Sequence, residues 1–133
     1  MSGVPKHVSD EETLHRLLPP SASNMVVNGR VHPLMFYSST EPYRVSVDRA
    51  AYRTADESLH GKPRHGIAAL LTSAVRLLDV SPYQRLGVES LPELGNDAHA
   101  EIQADPTMSK NHMKTKISKK LSEIADVLRS PST

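Results

Sequence analysis

Hydrophobic positions in this chain gather into one long run and several short ones. The long run spans His65 to Val80 and includes Ile67-Ala68-Ala69-Leu70-Leu71 and Ala74-Val75-Arg76-Leu77-Leu78. Two readings of it compete, because a short apolar stretch suits a buried strand and a buried helix equally well. In one, Ile67 to Leu78 is a single buried helix. In the other, residues 66–71 form a strand, Thr72 or Ser73 caps a short helix to Leu78, and Val80 starts a new strand. Hydroxyl side chains cap helices and compete with the backbone inside them, so the Thr-Ser pair favours strand, helix, strand.

The other patterns follow the chain. Residues 1–8 read as a loose lead-in. Ser9-Asp10-Glu11-Glu12 has the form of a capping box, and Leu14, Leu17 and Leu18 after it predict a short helix stopped by Pro19-Pro20. Asn28-Gly29 between Met25-Val26-Val27 and Arg30-Val31 predicts a small hairpin, since both turn residues accept positive φ. Leu34 to Tyr37 reads as a strand ended by the Ser38-Ser39-Thr40-Glu41-Pro42 turn cluster. Tyr43, Val45 and Val47 alternate with Arg44, Ser46 and Asp48, the pattern of a half-buried strand. Asp48 then caps a helical turn over 49–53, and residues 54–59 continue it or form a second turn. Residues 81–97 read as loop with an ordered piece near Arg85 to Val88, and 98–102 as a strand closed by Asp105-Pro106. Met113, Ile117, Leu121, Ile124 and Leu128 recur at helical spacing, predicting one amphipathic helix from Met108 to Arg129 capped by Ser109 or Asn111.

The expected fold is therefore a single α+β domain over residues 9–129 with a flexible tail at 130–133. A small mixed sheet carries 34–37, 43–47, 66–71 and 98–102, with the C-terminal amphipathic helix packed on it. The alternative is a mostly helical domain built around Ile67 to Leu78.

Composition sharpens this picture at three points. A chain of 133 residues with no Trp and one Phe must build its core from aliphatic side chains and Met. Sixteen Lys and Arg against 15 Asp and Glu leave a net charge of +1, which does not support a nucleic-acid partner. The absence of Cys excludes disulfides and zinc-thiolate sites. No run is long enough for a membrane span and the start of the chain lacks a secretory apolar core, so a soluble cytoplasmic protein without a membrane role is expected.

Candidate chemistry centres on a few polar positions. His99 and Glu101 share one face of the expected strand, about 7 Å apart along it, a spacing that suits an acid-base pair. Against this stands a pair of solvated residues on a sheet face. Arg16 and Arg76 are candidates for holding phosphate through the planar guanidinium fork, although an Arg beside leucines also lies over a core and pairs with an acid. Seven histidines invite a metal reading, but none shows a recognised ligand spacing, and no metal or cofactor is expected. Lys110, Lys114, Lys116, Lys119 and Lys120 form a basic patch for an anionic ligand or a protein partner, or simply a solvated helix face.

Taken in order, Leu14-His15-Arg16, Phe36, Val45-Ser46-Val47-Asp48, Gly66-Ile67-Ala68, Val75-Arg76 and Asn96 to Ile102 resemble a layout shared by small uncharacterised bacterial proteins. The resemblance spans roughly residues 10–102 and brings a layout without an activity. It implies Arg16, Ser46, Asp48, Arg76 and His99 as the polar positions of interest, with Ser46 and Asp48 as a polar wall. Arg16 and the Phe36-Tyr37-Ser38-Ser39-Thr40 segment are also similar to ADP-ribosyltransferase-like domains, where an early Arg and a Ser-Thr strand hold a nicotinamide dinucleotide. The Glu-x-Glu of one branch of that family is absent here. Two functions are expected from these readings. The first is a small binding or accessory module; the alternative is an enzyme acting on a nucleotide or phosphate-bearing substrate, ADP-ribosyltransferase-like or nuclease-like.

Overall fold

Thr13 to Leu18 forms β1, one of the two middle strands of the sheet, in a computed structural model that describes residues 3–38, 43–105 and 109–133. The helix expected here is not formed. Half of the capping box is: the Ser9 amide donates to Glu12 Oε2, but the Glu12 amide donates to the Ser9 backbone carbonyl and not to its hydroxyl. They close a turn and not a helix, because all six residues of β1 pair with the Gly66–Leu71 strand. Leu14 and Leu18 thereby face the core together, while Leu17 alternates to the other side.

After β1 comes a 3₁₀ turn over Pro20–Met25, then the Asn-Gly hairpin of β2 (Val26–Val27) and β3 (Arg30–Val31). Asn28 and Gly29 take φ of 55° and 75°, as the hairpin reading requires. The strand expected at 34–37 is a 3₁₀ helix over Pro33–Phe36. Pro33 supplies a preset φ at its start, and the His32 ring accepts from the Leu34 amide. Ser39, Thr40, Glu41 and Pro42 of the expected turn lie outside the described residues.

β4 (Val45–Arg49) follows, then α1 (Ala55–Leu59) under a complete Thr54–Glu57 capping box. Asp48 caps no helix and is part of the strand. β5 (Gly66–Leu71) and α2 (Thr72–Leu77) divide the long apolar run as expected, but neither Thr72 nor Ser73 caps α2, whose N-cap is Leu71, and Val80 is a buried loop residue that starts no strand. β6 (Arg85–Ser90) is longer than the short piece expected, and it forms a hairpin with β7 (His99–Asp105). Pro106 to Met108, including the expected helix start, lie outside the described residues.

The C-terminal helix begins with α3 (Lys110–His112), where Ser109 accepts from the His112 amide. It continues through a π-helical stretch over Met113–Ile117 into α4 (Ser118–Ile124). It does not reach Arg129. Asp126–Arg129 is β8, an edge strand paired with β5, which leaves Leu128 55% exposed instead of buried in the helical stripe.

The main sheet runs β6-β7-β4-β1-β5-β8. The expected small mixed sheet is realised as an antiparallel one in every ladder described. The α+β class holds, with the C-terminal helix on one face. Met113, Ile117 and Leu121 meet Leu14, Leu18, Val45, Leu70, Ile102 and Phe36 there, each fully or almost fully buried. Burial at roughly 1.5–3 kcal/mol per large side chain makes this face the main source of stability.

One charged residue belongs to that core. Arg49 is 0% exposed and uses all five donors. Nε and Nη2 hold the Glu12 carboxylate at 2.7 and 2.8 Å, Nη1 reaches the Pro5 carbonyl and Ser90 Oγ, and Nη2 also reaches the His7 carbonyl. Through these bonds it fixes residues 5–12, and Val8, inside the stretch read as a loose lead-in, enters the core at 1% exposure.

Candidate functional site

The opposite face of the sheet is polar in its middle, and strand register explains why. Asp48 on β4 lies directly between His15 on β1 and His99 on β7. Directly paired residues project to the same side of a sheet. The result is a His-Asp-His row across three adjacent strands, exposed only 7%, 9% and 6% respectively. Ser46, two residues before Asp48, joins the same face, as does Glu101, two after His99.

The β1–β4 ladder pairs only Leu14 with Arg49 and His15 with Asp48. Past that point the Ser46 carbonyl accepts from Arg16 Nη1 at 2.8 Å, and Arg16 Nε donates to the Met35 carbonyl at 3.0 Å. A cavity of about 290 Å³ opens at this break. Its wall includes His15, Arg16, Ser46, Asp48, Asn96 and His99, with Glu93 from the loop between β6 and β7.

Asp48 is held by three groups. Asn96 Nδ2 donates to Oδ1 at 2.7 Å, Ser58 Oγ to Oδ2 at 3.1 Å, and Arg53 Nε stands 3.9 Å from Oδ2. His99 is fixed from the loop side, with Nδ1 2.8 Å from the Leu91 carbonyl. A carbonyl only accepts, so Nδ1 carries a proton, and the tautomer this selects has its lone pair on Nε2. Ser46 Oγ stands 3.3 Å from that nitrogen.

His15 is the contrasting case. Its Nδ1 is buried and has no hydrogen-bond partner. Burial lowers its pKa from the ordinary histidine value, with the Asp48 charge pulling weakly the other way, so the ring is held neutral. An unsatisfied buried polar atom costs about 1–3 kcal/mol, and such atoms are rare in native interiors. Arg16 likewise has its pKa lowered by burial, and no acidic side chain among the described residues pairs with it. It remains a cation, since guanidinium does not lose its proton in proteins.

The residues singled out from sequence are thus partly assembled. Arg16, Ser46, Asp48 and His99 line one cavity. Glu101 stands beside it, with Oε2 3.9 Å from His99 Nε2 and Oε1 3.5 Å from Arg44 Nη1. The nearer partner of His99 Nε2 is Ser46. Arg76 is elsewhere: it binds Asp10 Oδ1 at 2.7 Å and the Val8 carbonyl at 2.6 Å. The four residues proposed to move protons and hold phosphate do not converge. Lys110 and Lys119 are exposed, and Lys116 Nζ donates to the Ser81 carbonyl. Sequence reading missed His15, Asn96 and Glu93. A strand reading of 13–18 would have put His15 on a polar face, but the helical reading hid that alternation.

Among the described residues no three His, Asp or Glu side chains are grouped to hold a metal ion, and no helix is long and apolar enough to cross a membrane. Compared with known protein families, with curated proteins and with solved structures, the chain finds no match.

Proposed function

We propose that this protein is a small binding module whose cavity between β1 and β4 takes one small polar molecule. The observation that carries this reading is His15. A buried imidazole with an unsatisfied nitrogen stands at the wall of a cavity of about 290 Å³, beside Asp48, Ser46 and His99. Small-ligand sites combine a concave space with a few convergent polar groups, and the cavity lies at the small end of their usual size. Arg16 supplies a cation and Asp48 with Glu93 supply anions, so a molecule bearing both an acidic and a basic or hydroxyl group matches the wall best. The bacterial cytoplasm is the proposed setting, and the basic face over Lys110–Lys120 is a proposed contact for an anionic or protein partner.

An enzyme acting on a nucleotide or phosphate is the second reading. Arg16 and His99 on one wall support it, while the engagement of Arg76 with Asp10 weakens it. A thermal-shift screen tests both, using nucleotides, nicotinamide dinucleotide, amino acids and hydroxy acids. A ligand at 100 times its Kd stabilises the fold by about 2.7 kcal/mol, a readable rise in melting temperature. The shift should disappear in His15→Leu. If no compound stabilises the protein, or His15→Leu responds as the wild type does, the cavity is not the site.

A further inference from the structure

We propose that Ser46 is a nucleophile activated by His99, giving this cavity an acyl-transfer activity toward small carboxylic esters that binding alone does not require. The inference uses the same cavity as the binding reading but needs no retained ligand.

The geometry points to this in three ways. The tautomer is fixed, since Nδ1–H is committed to the Leu91 carbonyl at 2.8 Å and Nε2 is left as the base. Ser46 Oγ is within 3.3 Å of that base, close to the reach a general base requires in a free enzyme. Two carboxylates then flank the ring, Glu93 Oε1 3.5 Å from Nδ1 and Glu101 Oε2 3.9 Å from Nε2. They stabilise the imidazolium that forms when the ring takes a proton. His99 itself is 6% exposed, while Ser46 is exposed and open to a substrate.

The step balances without any other reagent. The Ser46 hydroxyl proton passes to His99 Nε2 as Oγ bonds to the ester carbonyl carbon. The carbonyl electrons move onto oxygen and return as the bond to the leaving alkoxide breaks, and that alkoxide takes the proton from Nε2. Water repeats the sequence on the acyl-serine, releasing the acid and restoring Ser46. Arg16, tied to the Ser46 carbonyl by Nη1, lines the same cavity and is the cation available to it.

The test is covalent labelling of the full chain with a fluorophosphonate, in which Oγ bonds to phosphorus and fluoride leaves, together with release of nitrophenol from p-nitrophenyl acetate. Peptide mapping should place the adduct on Ser46. Ser46→Ala should lose it, and His99→Gln should label about 100-fold more slowly, the lower end of what a general base contributes. Labelling should also vanish in urea, which keeps the test decisive if His99→Gln fails to fold. A folded wild-type chain without an adduct at Ser46 overturns the proposal, as does labelling at the same rate in urea or in a folded His99→Gln variant. If ligands still stabilise the protein while Ser46 stays unlabelled, the nucleophile fails and the binding reading stands. Labelling without any stabilising ligand means the reverse.

Discussion

Arg49 and Glu12 form a two-pronged ion pair, 2.7 and 2.8 Å long, in which the guanidinium is wholly buried. Tyr52 stacks over the same group, its ring centre 4.7 Å from the guanidinium carbon. Removing one partner of such a pair leaves the other charged and without compensation. Arg49→Ala should therefore cost about 3–5 kcal/mol, enough to threaten folding of a domain of ordinary stability. Arg49→Lys should recover little, because an ammonium cannot reproduce the fork. Urea denaturation checks both, and an Arg49→Ala midpoint equal to wild type would show that residues 5–12 do not depend on this contact.

The pair also sets a response to acid. Hydrogen bonding from Arg49 lowers the Glu12 pKa below its ordinary value of 4.5. A carboxylate depressed in the folded state contributes stability that is complete above 4.5 and is lost as pH falls through the lower folded value. His15, lowered from 6.5 by burial, adds a loss of the same sign that begins below 6.5. Stability should thus fall in two stages on acidification. Glu12→Gln should flatten the lower stage and His15→Leu the upper, as read from denaturation midpoints across the pH range. A rise in stability between pH 6.5 and 5 would contradict the burial of a neutral His15.

The C-terminal helix gives a contrast between two leucines. Leu121 is fully buried against the sheet, while Leu128 sits half exposed on β8. Leu121→Ala should cost about 2–5 kcal/mol, and Leu128→Ala well under 1 kcal/mol. Lys119→Ala should leave the melting temperature unchanged. Equal losses at the two leucines would mean that β8 is buried more deeply than its exposure indicates.

Gly66 opens β5 where the end of the chain lies against it. A methyl group there would stand 2.4 Å from the Arg129 carbonyl oxygen and 2.5 Å from the Pro131 nitrogen. Both are backbone, so Gly66→Ala must push residues 129–131 away from the sheet at a cost of about 1–3 kcal/mol. The penalty should largely disappear in a chain ending at Ala125, where nothing remains to be displaced. Chemical denaturation of the four proteins measures this coupling, and additive losses would refute it.

These residues also show how much the sequence could reveal. Asn28-Gly29, the strand-helix division at Thr72 and the stripe of Met113, Ile117 and Leu121 are local signals, and each is realised. Of the capping box at Ser9 and Glu12 only the Glu12 side-chain half is realised, and β1 follows it. Local contacts fix a turn, but six cross-strand pairs with β5 outweigh the preference of the next residues. Arg49 was unreadable for the same reason: its partners come from residues 5–12 and 90, far along the chain. At the site, Ser46, Asp48 and His99 could be named because alternation exposes a polar face. That they stand in one row with His15 depends on register between three strands, which no single segment encodes.

β1 lies between β4 and β5, and both of its neighbours are made after it. During synthesis its two pairs with β4 must wait until Asp48 and Arg49 have emerged, and its six pairs with β5 until Gly66 to Leu71 have followed. Closing the middle of a sheet across such a span is slow, because loop entropy is lost before pairing repays it. The cavity beside His15 is therefore among the last features of the molecule to take shape, and it exists only once the sheet has closed.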